Sequence, residues 1–419
     1  MVKLALEGGP KAKRHPYGTA LRFGREELKE LKEALDQNTL FYVRGKKVRK
    51  MCGAFAKLIR ARHCVATSSG TAAIHVALGA IGLGPGDEVI TSPITDFGTV
   101  IGILYQNAIP IFADLEAHTY NMSPEAVERC ITPKTRAILV VHLAGNPADM
   151  HAIMKIARRH RLPVIEDCAQ SWLASFRGRF VGTIGDIGCF SLNDFKHISA
   201  GDGGLSVTDD DELARKMAMF ADKNYRRTPG GDALREIASL APNYRMTELQ
   251  GAVALAQLRK LKRIIRRRHE IGEAYTQGLT GIPGVYPHRV TPGSRCTYWF
   301  YMFRIDPEVL GVSRNAFTEA VAAEGIAASP GYIPTPVYRW EIFRKRSVYP
   351  HSHCPYDCKH ARKHIRYVRG LCPEAERILE TAVRLPVNEF FTATDVRETV
   401  AGIRKVAAHY LAGKGVTFR

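Results

Sequence analysis

The chain has 419 residues, 45% of them apolar and 24% charged, a balance that excludes a disordered or fibrous protein and leaves room for two domains. A formal net charge of +19 attracts anionic metabolites and polyanions, yet no zinc-finger spacing, RNA-binding aromatic motif or basic low-complexity tail accompanies it, so nucleic-acid binding is not the expected function. No apolar run reaches the roughly 18 residues of a membrane span and Met1–Pro10 lacks a signal-peptide core, so a cytoplasmic protein with nine reduced cysteines is expected.

In chain order, the first informative stretch is Ala66-Thr67-Ser68-Ser69-Gly70-Thr71-Ala72-Ala73, which leads into the apolar helical run Ile74–Ile81. Small residues and hydroxyls at a helix start let free backbone N–H groups and the positive dipole end meet a phosphate. They also serve as plain caps. Short β-branched runs then alternate with amphipathic stretches, the signature of an α/β fold with a mostly parallel sheet. Glu88–Thr91, Ile109–Ala113, Ala137–Val141, Val164–Glu166, Cys189–Ser191 and Gly204–Thr208 read as strands covered on both faces. Between them, Ser123-Pro124-Glu125 opens a helix to Ile131, and a second helix spans Met150–His160.

Two acid–base candidates sit among these elements. The strand Val164-Ile165-Glu166-Asp167 delivers a carboxylate at its C-terminal end, where ligands gather in open α/β sheets. Asp167 in that place can pair with a protonated ring nitrogen, or simply cap a loop. Further on, Asn193-Asp194-Phe195-Lys196-His197-Ile198 runs into the glycine-rich turn Gly201-Asp202-Gly203-Gly204. A lysine that forms a Schiff base must shed its proton near neutral pH, which desolvation between apolar neighbours favours. Lys196 between Phe195 and Ile198 fits that demand.

Leu249, Val253, Leu255, Leu258, Leu261 and Ile265 recur at helical spacing, predicting one long helix over Glu248–Tyr275. Its polar side, Arg259 to Arg268, reads as a solvated face more readily than as a phosphate site. Beyond Gly281 shorter strands, turns and prolines suggest a smaller α+β domain closed by a helix over Thr394–Leu411. His351, His353, Cys354, Cys358, His360, His364 and Cys372 lack the tight pairing of a structural zinc site, so no metal is expected.

A small-residue phosphate loop, an Asp about a hundred residues later and a lysine roughly thirty beyond it are jointly far rarer than each alone. The order E-D-x-A-Q, F-S-x-x-x-x-K and G-D-G-G, met between Glu166 and Gly204, resembles the DegT/DnrJ/EryC1/StrS family of sugar and cyclitol aminotransferases. The resemblance implies a fold-type-I, aspartate-aminotransferase-like architecture, with a large domain over 1–270 and a small C-terminal domain over 271–419. It implies pyridoxal 5′-phosphate (PLP) as cofactor and transfer of an amino group from L-glutamate or L-glutamine to a keto sugar, preferably nucleotide-linked, or a keto cyclitol. A PLP-dependent sugar dehydratase and a non-catalytic PLP-binding regulator are the alternatives; dehydrating relatives carry histidine where Lys196 stands. By the same resemblance, Lys196 holds the cofactor and shuttles protons, Asp167 pairs with the ring nitrogen, and Gln170 contacts the ring hydroxyl. Gly70, Thr71, Ala72 and Ser191 meet the phosphate. Asn243 reaches it from the neighbouring subunit of a homodimer with shared active sites. Relatives stack an aromatic ring on the cofactor from a position held here by Asp96, so either the loop shifts and Phe97, one residue on, covers the ring, or the stacking comes from elsewhere.

Overall fold

A computed structural model describes residues 3–418 apart from 229, 230, 236 and 238. Seven strands build the principal sheet: His63–Thr67 (β1), Glu88–Thr91 (β2), Ile109–Phe112 (β3), Thr135–Val141 (β4), Val164–Asp167 (β5), Ile187–Ser191 (β6) and Gly204–Thr208 (β7). All but β1 are the strands read from the sequence, two of them with the expected bounds and four with one end shifted by one or two residues. Their spatial order is β1-β7-β6-β5-β4-β2-β3. Strands β2 to β6 run parallel, whereas β7 runs against both β6 and β1. Two reversals return β1 to the common direction, so the C-terminal ends of β1, β5 and β6 share the sheet edge where an α/β fold binds its ligand.

The helices of this half are Arg25–Asp36 (α1), Lys47–Ile59 (α2), Gly70–Ala80 (α3), Phe97–Tyr105 (α4), Pro124–Cys130 (α5), Met150–His160 (α6), Asp211–Ala221 (α7) and Glu248–Leu279 (α8). Helix α3 is apolar on all sides and almost wholly buried, as a helix inside the molecule must be. Ser123 caps α5 and Thr247 caps α8, the latter through a reciprocal capping box with Gln250. Helix α8 runs one turn beyond its expected end and belongs to two cores. Its first half packs on α1 and α2, and Ile271, Tyr275 and Leu279 enter the second core. Much of its basic face is taken by ion pairs: Arg259 with Glu30 at 2.5 Å, Lys260 with Glu27 at 2.7 Å and Arg268 with Glu389 at 2.8 Å.

The second core lies under a four-stranded antiparallel sheet of Val285–Tyr286 (β8), Phe300–Ile305 (β9), Ser329–Pro330 (β10) and Ala382–Pro386 (β11), in the order β8-β9-β11-β10. Helices Arg314–Ala323 (α9) and Ala393–Ala412 (α10) cover it around Tyr298, Phe303 and Phe317. The start of the chain, expected with the first domain, packs here instead: Leu4 joins this core and Lys13 Nζ lies 2.7 Å from Asp395. A second surprise is the segment between β10 and β11. Tyr338, Phe343 and Tyr367 pack on Phe112, and the Tyr367 hydroxyl donates to the Pro110 carbonyl at 2.7 Å, covering edge strand β3. An edge strand so covered cannot pair with another chain. Of the cysteines and histidines of this segment, Cys372 is buried with its thiol 3.6 Å from the Phe112 carbonyl, whereas His351, His353, His360 and His364 are exposed; among the described residues, three such potential ligands meet only at His142, Glu166 and Cys168.

Candidate active site

The turn from β1 into α3 forms one wall of a cavity of about 370 Å³ at the shared strand ends. Ser69 caps α3 by accepting the Ala72 N–H at 3.1 Å, which leaves the first-turn N–H groups of Gly70 and Thr71 without helical acceptors. A Cβ on Gly70 would stand 2.6 Å from Ser191 Cβ, so this approach of helix start to strand end requires glycine. Behind the turn, Ser68 N donates to the Tyr244 carbonyl at 2.7 Å, and the Tyr244 hydroxyl meets His75 Nδ1 at 3.1 Å. Burial pushes the His75 imidazole down to about 4, so it is neutral at physiological pH.

Asp167 occupies the end of β5 with its side chain toward the cavity, while the pleat turns Glu166 to the opposite face. Burial pushes the Asp167 carboxyl up from its ordinary value; the Ala169 N–H at 3.0 Å, the Thr99 hydroxyl at 2.7 Å and the charge of Lys196 oppose that rise. For Glu166 burial acts in the same sense but is outweighed: His142 Nε2 lies 2.9 Å away and the N–H groups of Gly182, Ile184 and Gly185 all donate to it, holding it below the usual carboxylate range. That ring of donors makes the His142–Glu166–Cys168 group a satisfied brace for β5.

Lys196 ends a short turn closed by its own N–H to the Asn193 carbonyl at 2.9 Å. Its ammonium stands 3.8 Å from the centre of the Trp299 ring, and the Trp299 indole donates to the Phe195 carbonyl at 2.7 Å. Burial lowers the Lys196 pKa, with Asp167 and Asp96 pulling the other way. An amine that loses its proton more readily and faces a carboxylate is suited to carbonyl chemistry.

Of the nine residues read from the sequence, Lys196, Asp167, Gly70, Thr71, Gln170 and Ser191 line this one cavity. Three do not. The Ala72 N–H is committed to Ser69, and the residue lies off the cavity wall. Phe97 is corrected most clearly. Asp96 caps α4 through the Gly98 N–H at 2.8 Å, which fixes Phe97 as the first helical residue with its ring 5.7 Å from that of Trp340 and turned toward Phe343, away from the cavity. Asn243 is exposed and bridges to Asp222, outside the cavity of its own chain. The Gln170 amide is also engaged, accepting the Ala144 N–H at 2.8 Å and donating to the Tyr332 hydroxyl at 3.2 Å. Thr99 and Trp299 escape a reading of the sequence, because nothing in their local patterns marks them; they reach Asp167 and Lys196 only through the fold.

The cavity therefore offers what PLP requires: unpaired N–H groups at a helix start for a phosphate, a buried carboxylate for a ring nitrogen, and a desolvated amine opposite it. Bound PLP supplies an aldehyde that exchanges amines and a ring that withdraws electrons from the reacting carbon. Comparison with known proteins agrees with this chemistry. The model of the DegT/DnrJ/EryC1/StrS aminotransferase family matches residues 22–404. A putative L-glutamine:3-amino-2,3-dideoxy-scyllo-inosose aminotransferase of Streptoalloteichus tenebrarius is 38% identical over 349 residues, covering 81% of this chain and 83% of its own. The spore coat polysaccharide biosynthesis protein SpsC of Bacillus subtilis is 35% identical over 347 residues, covering 80% and 88%. Among solved structures, DesI, determined in the presence of its TDP-sugar product, superposes with a TM-score of 0.80 at 27% identity over 98% of each chain.

Proposed function

The chain belongs to the DegT/DnrJ/EryC1/StrS aminotransferase family, and from that premise we propose that it carries an amino group from L-glutamate or L-glutamine to a keto sugar or keto cyclitol in amino-sugar or aminocyclitol biosynthesis. It is a PLP-dependent aminotransferase of fold type I. The observation that carries the acceptor-independent part is the buried Lys196 amine facing Asp167 across a cavity that ends in the Gly70–Thr71 helix start. The net charge of +19 favours a nucleotide-linked sugar, and the relative of S. tenebrarius favours a cyclitol.

In this reading Lys196 Nζ takes the proton from the donor carbon and returns a proton to the acceptor carbon. Asp167, fixed by Thr99 and Ala169, keeps a proton on the ring nitrogen, since an adjacent anion favours the charged form of a base. The Gly70 and Thr71 N–H groups hold the phosphate, with Ser191 beside them. Gln170, clamped between Ala144 and Tyr332, bounds the ring on its hydroxyl side. The lysine argues against the dehydratase alternative, and a full set of acid–base groups argues against a regulator without turnover.

Purified enzyme assayed with glutamate and glutamine against a panel of nucleotide keto sugars and keto cyclitols is expected to aminate one of the two classes, and no turnover with either would overturn the reading. The enzyme works in the cytoplasm as a homodimer in which the exposed Asn243 completes the partner's phosphate site. Mixing inactive Lys196→Ala and Asn243→Ala subunits is expected to restore one intact site per heterodimer. Subunit exchange without recovery, each variant alone being inactive, would confine Asn243 to its own chain.

A further inference from the structure

Away from the cofactor, a cavity of about 430 Å³ opens where α2 packs on β1, and Cys52 of α2 and Cys64 of β1 both line it. We propose that this is a thiol–disulfide exchange site, in which Cys52 and Cys64 are oxidised to an intramolecular disulfide by a small disulfide that carries carboxylates.

Chain geometry brings the two sulfurs abreast. Arg60, at φ 65° in the left-handed region, ends α2 and turns the chain back toward β1. Cys52 lies about 10 Å before that end, at a rise of about 1.5 Å per residue, and Cys64 lies a similar distance beyond it, at roughly 3.3 Å per residue of extended chain. The two thiols are hydrogen-bonded to each other, and both residues are half-buried, within reach of solvent. Neither lines the cofactor cavity. Cys168, Cys189 and Cys296 are wholly buried instead, and burial pushes their thiols far up, so they are inert.

Charge then selects the reagent. The cavity carries Arg49, Arg215, Arg226, Arg227 and Arg245 against one acid of its wall, Asp222, which Arg227 at 2.7 Å and Arg245 at 2.6 Å already share. Permanent cations around a partly exposed thiol stabilise its thiolate, the form that attacks sulfur, and they draw in an anion. Within the pair the roles differ. The Cys64 thiol is raised well above its ordinary value, by its hydrogen bond to Cys52 first and by burial second, so Cys64 keeps its proton and Cys52 is the sulfur that carries the charge. Cys52 attacks one sulfur of the incoming disulfide, whose S–S bond breaks, and the first small thiolate leaves with the proton that Cys52 gave up. Cys64 then yields its proton as it attacks the Cys52 sulfur of the mixed disulfide, and the second small thiolate departs with it. Two protein thiols are oxidised and one small disulfide is reduced to two thiols. The bond formed ties α2 to the strand that runs into the phosphate turn over 68–71. Transient disulfides of this kind are the ones a reducing compartment tolerates.

The test uses PLP-loaded wild type, with oxidised glutathione as the probe. Wild type is expected to lose two of its nine thiols and the mass of two hydrogens, with Cys52 and Cys64 linked in the peptide map and both thiols regenerated by dithiothreitol. Cys64→Ser should stop at the mixed disulfide, with glutathione held on Cys52, and Cys52→Ser should give neither product. Bis(2-hydroxyethyl) disulfide, which is neutral, should oxidise wild type roughly tenfold more slowly once each rate is divided by that with a small free thiol, the lower end of what a charged cleft adds to an association rate. Arg49→Leu should narrow that ratio. Oxidation of other cysteines in place of this pair, protection of both until the enzyme is unfolded, or equal normalised rates with the two probes would overturn the site. The wild-type peptide map decides the pair even where a serine variant fails to fold.

Discussion

The cofactor cavity, at the turn that follows β1, and the Cys52–Cys64 cavity, along β1 itself, are built in opposite ways. The first is centred on the ends of β1, β5 and β6, where the hydrogen-bonded sheet fixes Asp167 and Ser191, and is completed by the starts of α3 and α4 and by the turns that carry Gln170 and Lys196. The second sets two thiols within long guanidiniums drawn from α2, α7 and the segment between α7 and α8. A rigid frame suits the cofactor, whose ring and phosphate have one required geometry. Long side chains on separate segments suit a reagent that arrives, reacts and departs.

The comparison can be broken most severely in the cofactor cavity. Lys196→Ala is expected to abolish turnover, by about a thousandfold or more, and to remove the borohydride-trapped adduct, while Cys52 and Cys64 still oxidise. Retention of the adduct at this site in the variant would displace Lys196 from its role. Asp167→Asn comes next: an amide cannot hold the ring nitrogen's proton as a carboxylate does, so kcat should fall by roughly a hundredfold, with donor affinity little changed. Near-normal kcat would detach Asp167 from the chemistry.

Acid distinguishes the two regions without a mutation. His75, which holds Tyr244 against the phosphate turn, is lowered to about 4 by burial. An unfolded chain would bind its proton near pH 6.5. Stability therefore falls as pH drops from about 6.5 to 4 and changes no further below that, through this group by about 3 kcal/mol. The guanidiniums do not titrate over that range. Urea unfolding of wild type and His75→Gln between pH 7 and 4 should show the variant losing less, and parallel curves would mean His75 titrates normally. The smallest effect is expected at Phe97→Leu, where the ring packs on Trp340 and Phe343 outside the cavity. It should cost about 1 kcal/mol of stability and leave PLP affinity unchanged; a marked loss of cofactor would return Phe97 to the ring face.

How much is legible from the sequence follows the same division. Gly70, Asp167 and Lys196 sit in contiguous patterns, each at the end of a strand or the start of a helix, and the alternation of strands and helices puts those ends on one edge. Phe97 is misplaced by the sequence pattern because spacing from a proline cannot say which residue caps α4; Asp96 does, and a cap turns its successor by a fixed angle. The start of the chain falls to the other half of the molecule because Ala12 and Lys13 find their partners, Glu324 and Asp395, more than three hundred residues away.

The sequence by itself determined the α/β architecture, because local hydrogen bonding and hydrophobic periodicity decide secondary structure and so the strand ends, and the cofactor chemistry entered through the resemblance that the motifs between Glu166 and Gly204 carry. Only the tertiary structure decided that Thr99 meets Asp167, that Trp299 lies under Lys196 and that the edge of β3 is covered. Those contacts are set by how the two cores dock, and side chains brought together by docking carry no shared spacing along the chain from which their meeting could be read.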